Sequence, residues 1–74
     1  MIQKIRFNTA QDAKEFVEAA DACPFDVDIS YDRIVIDAKS IMGVMGMDLG
    51  RDLTVHCHGE CESFERAIAR WAVE

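Results

Sequence analysis

The strictest constraint in this sequence is one unbroken run of alternation followed by a turn. In Phe25-Asp26-Val27-Asp28-Ile29-Ser30-Tyr31, apolar and polar residues take turns, the period of two that marks a strand with one buried face. Asp32-Arg33 then makes a short turn, and Ile34-Val35-Ile36 is β-branched, so the pair predicts a hairpin. A hairpin with one apolar face must bury that face against another layer. The chain has 74 residues, half of them apolar, with one proline and four glycines. No linker or repeat divides it, and a single domain over 1–74 with a small core is expected.

The remaining segments supply the covering layer. Ile2 to Phe7 alternates, with Ile5 and Phe7 on one face and Lys4 and Arg6 on the other. Asn8 or Thr9 caps the helix that follows, and Thr9 with Asp12 resembles a capping box with a shortened acid. Ala13, Phe16, Val17 and Ala20 continue at helical spacing until Pro24, which pushes its predecessor out of the α region. Ser40 opens a short helix, weakened by Gly43 and Gly46 at about 1 kcal/mol each relative to alanine. Leu53 to His58 is a strand ended by Gly59. Phe64, Ala67, Ile68, Trp71 and Ala72 then mark one face of a final helix. The order β-α-β-β-α-β-α predicts an α+β fold: a four-stranded antiparallel sheet with three helices on one side. The open side would carry Asp26, Asp28, Ser30, Thr54, His56 and His58.

Charge narrows function. Eight Lys and Arg against fourteen Asp and Glu give −6, which disfavours nucleic acid and anionic membranes as partners. No apolar run reaches the roughly 18 residues of a spanning helix, and no leader-like segment opens the chain. Cys23, Cys57 and Cys61 are odd in number, unlike the even disulfide frameworks of small secreted domains. Reduced thiols and a cytoplasmic setting are expected, with one disulfide and a free thiol as the alternative. A small binding, carrier or regulatory module fits better than an enzyme, and no cofactor is expected.

The unusual segment is Lys39-Ser40-Ile41-Met42-Gly43-Val44-Met45-Gly46-Met47, rich in methionine and glycine. Flexible thioether side chains suit an adaptable protein-binding surface, although some of Ile41, Val44 and Met45 must close the core. Ser40 serves as an N-cap by physics alone. A phosphate there would also add about −2 charges at a helix N-terminus and switch the surface.

Lys39 to Met45 resembles the regulatory serine segment of HPr, the histidine-containing phosphocarrier of the bacterial sugar phosphotransferase system. The hairpin before it, the Leu49-Gly50 turn, the following strand and the closing helix all fall where that family has them. The resemblance implies the family's open-faced β-sandwich. It implies that Ser40 is a phosphorylation site for a dedicated serine kinase. It also implies that Ile41, Met42, Met45 and Met47 contact protein partners: that kinase, phosphotransferase enzymes and a transcriptional regulator.

The chain departs from the family at its active histidine, which opens the first helix in a Gly-[Ile/Leu]-His-Ala-Arg-Pro motif. Counting back from Ser40 without gaps places Thr9 there, Gln11 at the arginine and Asp12 at the proline. The only histidines are His56 and His58. Phosphohistidine chemistry needs an imidazole nucleophile and groups to hold the phosphate, so loss of the relay is expected. The family includes a catabolite-repression paralogue that also lacks the histidine.

His56-Cys57-His58-Gly59-Glu60-Cys61 gathers two histidines and two cysteines, four potential ligands. Alternation puts both histidines on one face and Cys57 on the other, and zinc wants four tetrahedral ligands. Asp26 or Asp28 would have to help, and no metal is expected. Charging both histidines would change the net charge from −6 to −4. Three functions follow from these residues. The favoured one is a regulatory or adaptor module working through Ser40. The others are a phosphocarrier with His56 or His58 as acceptor, and a metal- or redox-linked module using His56, His58 and Cys61.

Overall fold

The computed structural model describes residues 1–73. Strand β1 (Ile2–Arg6) leads to helix α1 (Ala10–Ala22), the hairpin β2 (Val27–Tyr31) and β3 (Ile34–Asp37), and the short helix α2 (Ile41–Met45). Strand β4 (Asp52–Cys57), helix α3 (Glu62–Ile68) and a 3-10 turn (Ala69–Trp71) complete it. The sheet order is β1-β4-β2-β3, antiparallel throughout. The α+β architecture and element order are those the alternation and helical spacing predict.

Register explains the core. Ile5 pairs with Leu53, Ile29 with Val55 and Ile36, and Val27 with Cys57. Those pairs place one apolar set under the helices, and all but Ile36 are fully buried. Lys4 pairs with Thr54 and Asp28 with His56 on the open face.

Helix α1 supplies Phe16, which is fully buried. Its ring lies 5.4 Å from Phe7, 6.0 Å from Phe64 and 6.2 Å from Trp71. The tilted and edge-on arrangements are those that aromatic quadrupoles favour. One side chain thus joins the end of β1, α1, α3 and the final turn.

Three segments differ from the expectation. Phe25 lies outside β2: Pro24 precedes it, and its half-exposed ring stands where a side chain at Gly59 would be. The last helix tightens into a 3-10 turn after Ile68. Three residues per turn keep Trp71 above Ile68, while Ala72 becomes extended and exposed. Ala72 bridges to Ile5, and the Val73 N–H donates to the Lys4 carbonyl at 2.9 Å, covering part of the β1 edge. Met47 is 7% exposed and joins the core. The chain folds back directly after α2, where the Met47 N–H donates to the Val44 carbonyl.

Phe16→Ala is expected to lower unfolding free energy by about 3–5 kcal/mol, a large share of a small domain's stability. Urea denaturation checks this, and a loss below about 1 kcal/mol would contradict the aromatic centre described above.

Candidate functional site

The Ser40 region is assembled by a tight turn. The Lys39 N–H donates to the Asp37 carboxylate and the Ser40 N–H to the Asp37 carbonyl, both at 2.9 Å. Ser40 is extended and exposed. Its Oγ accepts the Gly43 N–H at 3.2 Å and so caps α2. Gly43 lets α2 lie close to β3, because a Cβ there would be 2.7 Å from Ile36 Cγ2. Lys39 is turned away from Ser40: its Nζ donates to the Cys23 carbonyl at the end of α1, at 2.9 Å, where a cation suits the helix dipole.

Around Ser40, Val44 is the core residue of α2. Met42 is 84% exposed, and Ile41 and Met45 are each close to half exposed. Met47 does not share that surface, because it lies beneath it in the core. Ile34, on the strand that α2 packs against, and Leu49, in the loop leaving α2, are also about half exposed. Neither stood out in the sequence. The readable signal was for Ile34: an apolar residue on a strand that proves to be an edge has no neighbour to cover it.

The start of α1 is built differently. Thr9 caps it, with Oγ1 accepting the Asp12 N–H at 3.1 Å. The Asp12 carboxylate reaches back to the N–H groups of Asn8 at 3.0 Å and Thr9 at 3.2 Å, closing a capping box. The Asn8 N–H, aided by Trp71 and Thr9, holds the Asp12 carboxyl below its ordinary value of 3.8 despite some burial. The N–H groups that would meet an anion at this helix start therefore already face a carboxylate.

On the open face, His56 and His58 lie with ring centroids 4.1 Å apart. His58 Nε2 is 2.7 Å from Asp28 Oδ2, and the His58 N–H donates to the Asp26 carbonyl. His58, Asp26, Asp28 and Asp37 border a shallow cleft of about 460 Å³. Among the described residues, no three His, Cys, Asp or Glu side chains are gathered to hold a metal ion. A second hollow, about 530 Å³, lies elsewhere on the open face between Lys4, Arg6 and Arg51. Its guanidiniums are engaged: Arg6 pairs with Asp52, and Arg51 with Asp32 while lying over Tyr31.

Compared with known families, residues 9–72 match the model of the PTS-HPr family, described as the PTS HPr component phosphorylation site. The chain belongs to the HPr family. No curated protein matches it. The family's members are phosphocarriers that interact with other proteins of the phosphotransferase system. The matched region begins at Thr9, the N-cap of α1. No helix among the described residues is long and apolar enough to cross a membrane.

Within this HPr fold, all three cysteines are free. Cys23 and Cys57 are buried with Sγ atoms 3.8 Å apart, and Cys61 is half-buried. Burial raises the Cys23 thiol, whereas the Ser63 hydroxyl and the Phe64 N–H lower that of Cys61.

Because Asp12 has a lowered folded value, its stabilisation is complete above 3.8 and is lost as pH falls through the lower value. Asp12→Asn is therefore expected to be less stable than the wild type at neutral pH, with the difference shrinking in strong acid. Urea denaturation at both pH values checks this, and a constant difference would contradict it.

Proposed function

We propose that this chain is a single-domain, cytoplasmic HPr-family protein that acts as a regulatory adaptor and not as a histidine phosphocarrier or an enzyme. Its working surface is the Ser40 region: Ser40 as a phosphorylation site, with Ile41, Met42 and Met45 contacting a protein partner. Met47 supports that surface from below. The observation that carries this reading is the exposure of Met42, at 84%, beside an exposed serine hydroxyl. A thioether held that far into water contributes little to the fold, and it gives a partner flexible apolar area.

The start of α1 supports the other half of the proposal. Relay chemistry there would need an imidazole and free N–H donors for phosphate. Thr9 offers a hydroxyl and no imidazole, and the Asp12 carboxylate beside it holds the Asn8 and Thr9 N–H donors. A phosphate approaching this point would meet like charge.

Phosphorylation of Ser40 would act on α2 directly. The hydroxyl that now accepts the Gly43 N–H would become a phosphate bearing about −2 charges. The apolar surface beside it would then repel partners that the unmodified protein accepts, or recruit ones with arginine at the rim. The partners proposed for this surface are the serine kinase, phosphotransferase enzymes and a transcriptional regulator.

The test uses the family's serine kinase with ATP and intact mass. One phosphate is expected on the wild type and none on Ser40→Ala, which also loses about 1 kcal/mol of capping. Met42→Glu should fold normally and react at least about tenfold more slowly, a loss of about 1.4 kcal/mol of docking energy. Absence of phosphate on the wild type, or uptake retained in Ser40→Ala, would overturn the proposal.

A further inference from the structure

Cys23 stands far from Cys57 and Cys61 in sequence, and the fold brings it to both of them. Cys23 caps the end of α1, Cys57 ends β4, and Cys61 caps the start of α3. We propose that Cys61 is a hydroperoxide-reactive thiol that is converted to a disulfide with Cys23.

Access distinguishes the three thiols. Cys57 and Cys23 are 1% and 3% exposed, whereas Cys61 is half-buried. Cys61 and Cys23 border one cleft of about 140 Å³ between α1 and α3. Ala19 and Ala22 from α1 and Ser63, Phe64 and Ala67 from α3 complete its walls, and its volume has room for a molecule the size of hydrogen peroxide. The Cys23 and Cys61 thiols share that cleft, one at the end of α1 and the other at the start of α3. Cys57 lies behind Cys23 on the sheet.

The local groups match these roles. The reactive species in thiol chemistry is the thiolate. The Ser63 hydroxyl, 3.4 Å from Cys61 Sγ, and the Phe64 N–H favour the charged form of Cys61. Burial holds Cys23 as the neutral thiol, which suits a second partner and not the first to react.

The steps balance. The Cys61 thiolate attacks one peroxide oxygen, an S–O bond forms and the O–O bond breaks. The departing hydroxide takes a proton and leaves as water. Cys61 is then a sulfenic acid. The Cys23 sulfur attacks it, the S–S bond forms and the S–O bond breaks. The hydroxide released takes the Cys23 proton and becomes the second water. Two thiols and one peroxide give one disulfide and two waters, with two electrons passing from sulfur to oxygen. The product joins the end of α1 to the start of α3.

The test treats the reduced 74-residue protein with hydrogen peroxide, alkylates the remaining thiols and maps the peptides. A loss of two hydrogens in the intact mass, a Cys23–Cys61 linked peptide and alkylated Cys57 are expected, all reversed by dithiothreitol. Cys57→Ser should retain the reaction and Cys61→Ser should lose it. In Cys23→Ser, Cys61 should stop at a sulfenic acid trapped by dimedone. Cys61→Ser substitutes a half-buried residue that donates no side-chain cap, so a folded variant is available. A Cys23–Cys57 link in the wild type, loss of two hydrogens in Cys61→Ser, or Cys61 left fully alkylatable after peroxide would overturn the proposal.

Discussion

The packing of Phe16 against Phe7, Phe64 and Trp71 is the interaction on which the rest of this structure depends. It seats α1 across the sheet and thereby fixes both ends of that helix. At one end, Phe7 leads directly into the Thr9–Asp12 capping box. At the other, Cys23 is brought beside Cys57 and Cys61, and its carbonyl receives Lys39, the residue before Ser40. Burying an aromatic ring is worth a few kcal/mol, more than either cap, so the core decides where the chemistry-bearing ends sit.

The two helix starts then diverge in character. Both are capped by a hydroxyl, Thr9 on α1 and Ser40 on α2. Helix α1 adds a carboxylate that reaches back to two N–H groups and is held ionised by them. Helix α2 has no acidic residue in its first turn and carries exposed apolar side chains instead. In a family whose members carry phosphate, the first start is charged against an anion and the second is open to one. That contrast underlies the adaptor proposal.

Much of this was legible in sequence because the signals are local. Alternation in Phe25 to Tyr31 and Leu53 to His58 placed the strands, observed at Val27–Tyr31 and Asp52–Cys57, and their buried faces, and helical spacing placed Ala13, Phe16, Val17 and Ala20. Thr9 with Asp12 announced the capping box, and Ser40 before Gly43 announced the short helix. What was not legible depends on chain reversal or on neighbours distant in sequence. Met47 looked like its fellow methionines, but α2 ends two residues earlier and the fold-back buries it. Phe25 continued the alternation, yet Pro24 and the space at Gly59 take its ring out of the strand. Ala72 kept the helical period until the final turn tightened. The pairing of His58 with Asp28 and the meeting of Cys23 with Cys61 need the sheet order and the helix packing, which no local pattern contains.

The most direct test of the central claim, that this chain is an adaptor and not a histidine phosphocarrier, is intact mass after incubation with phosphoenolpyruvate and the first enzyme of the phosphotransferase system. Unmodified protein is predicted for the wild type and for His56→Ala and His58→Ala alike. Uptake of one acid-labile phosphate by the wild type would contradict the account, and its loss in either histidine variant would identify the acceptor.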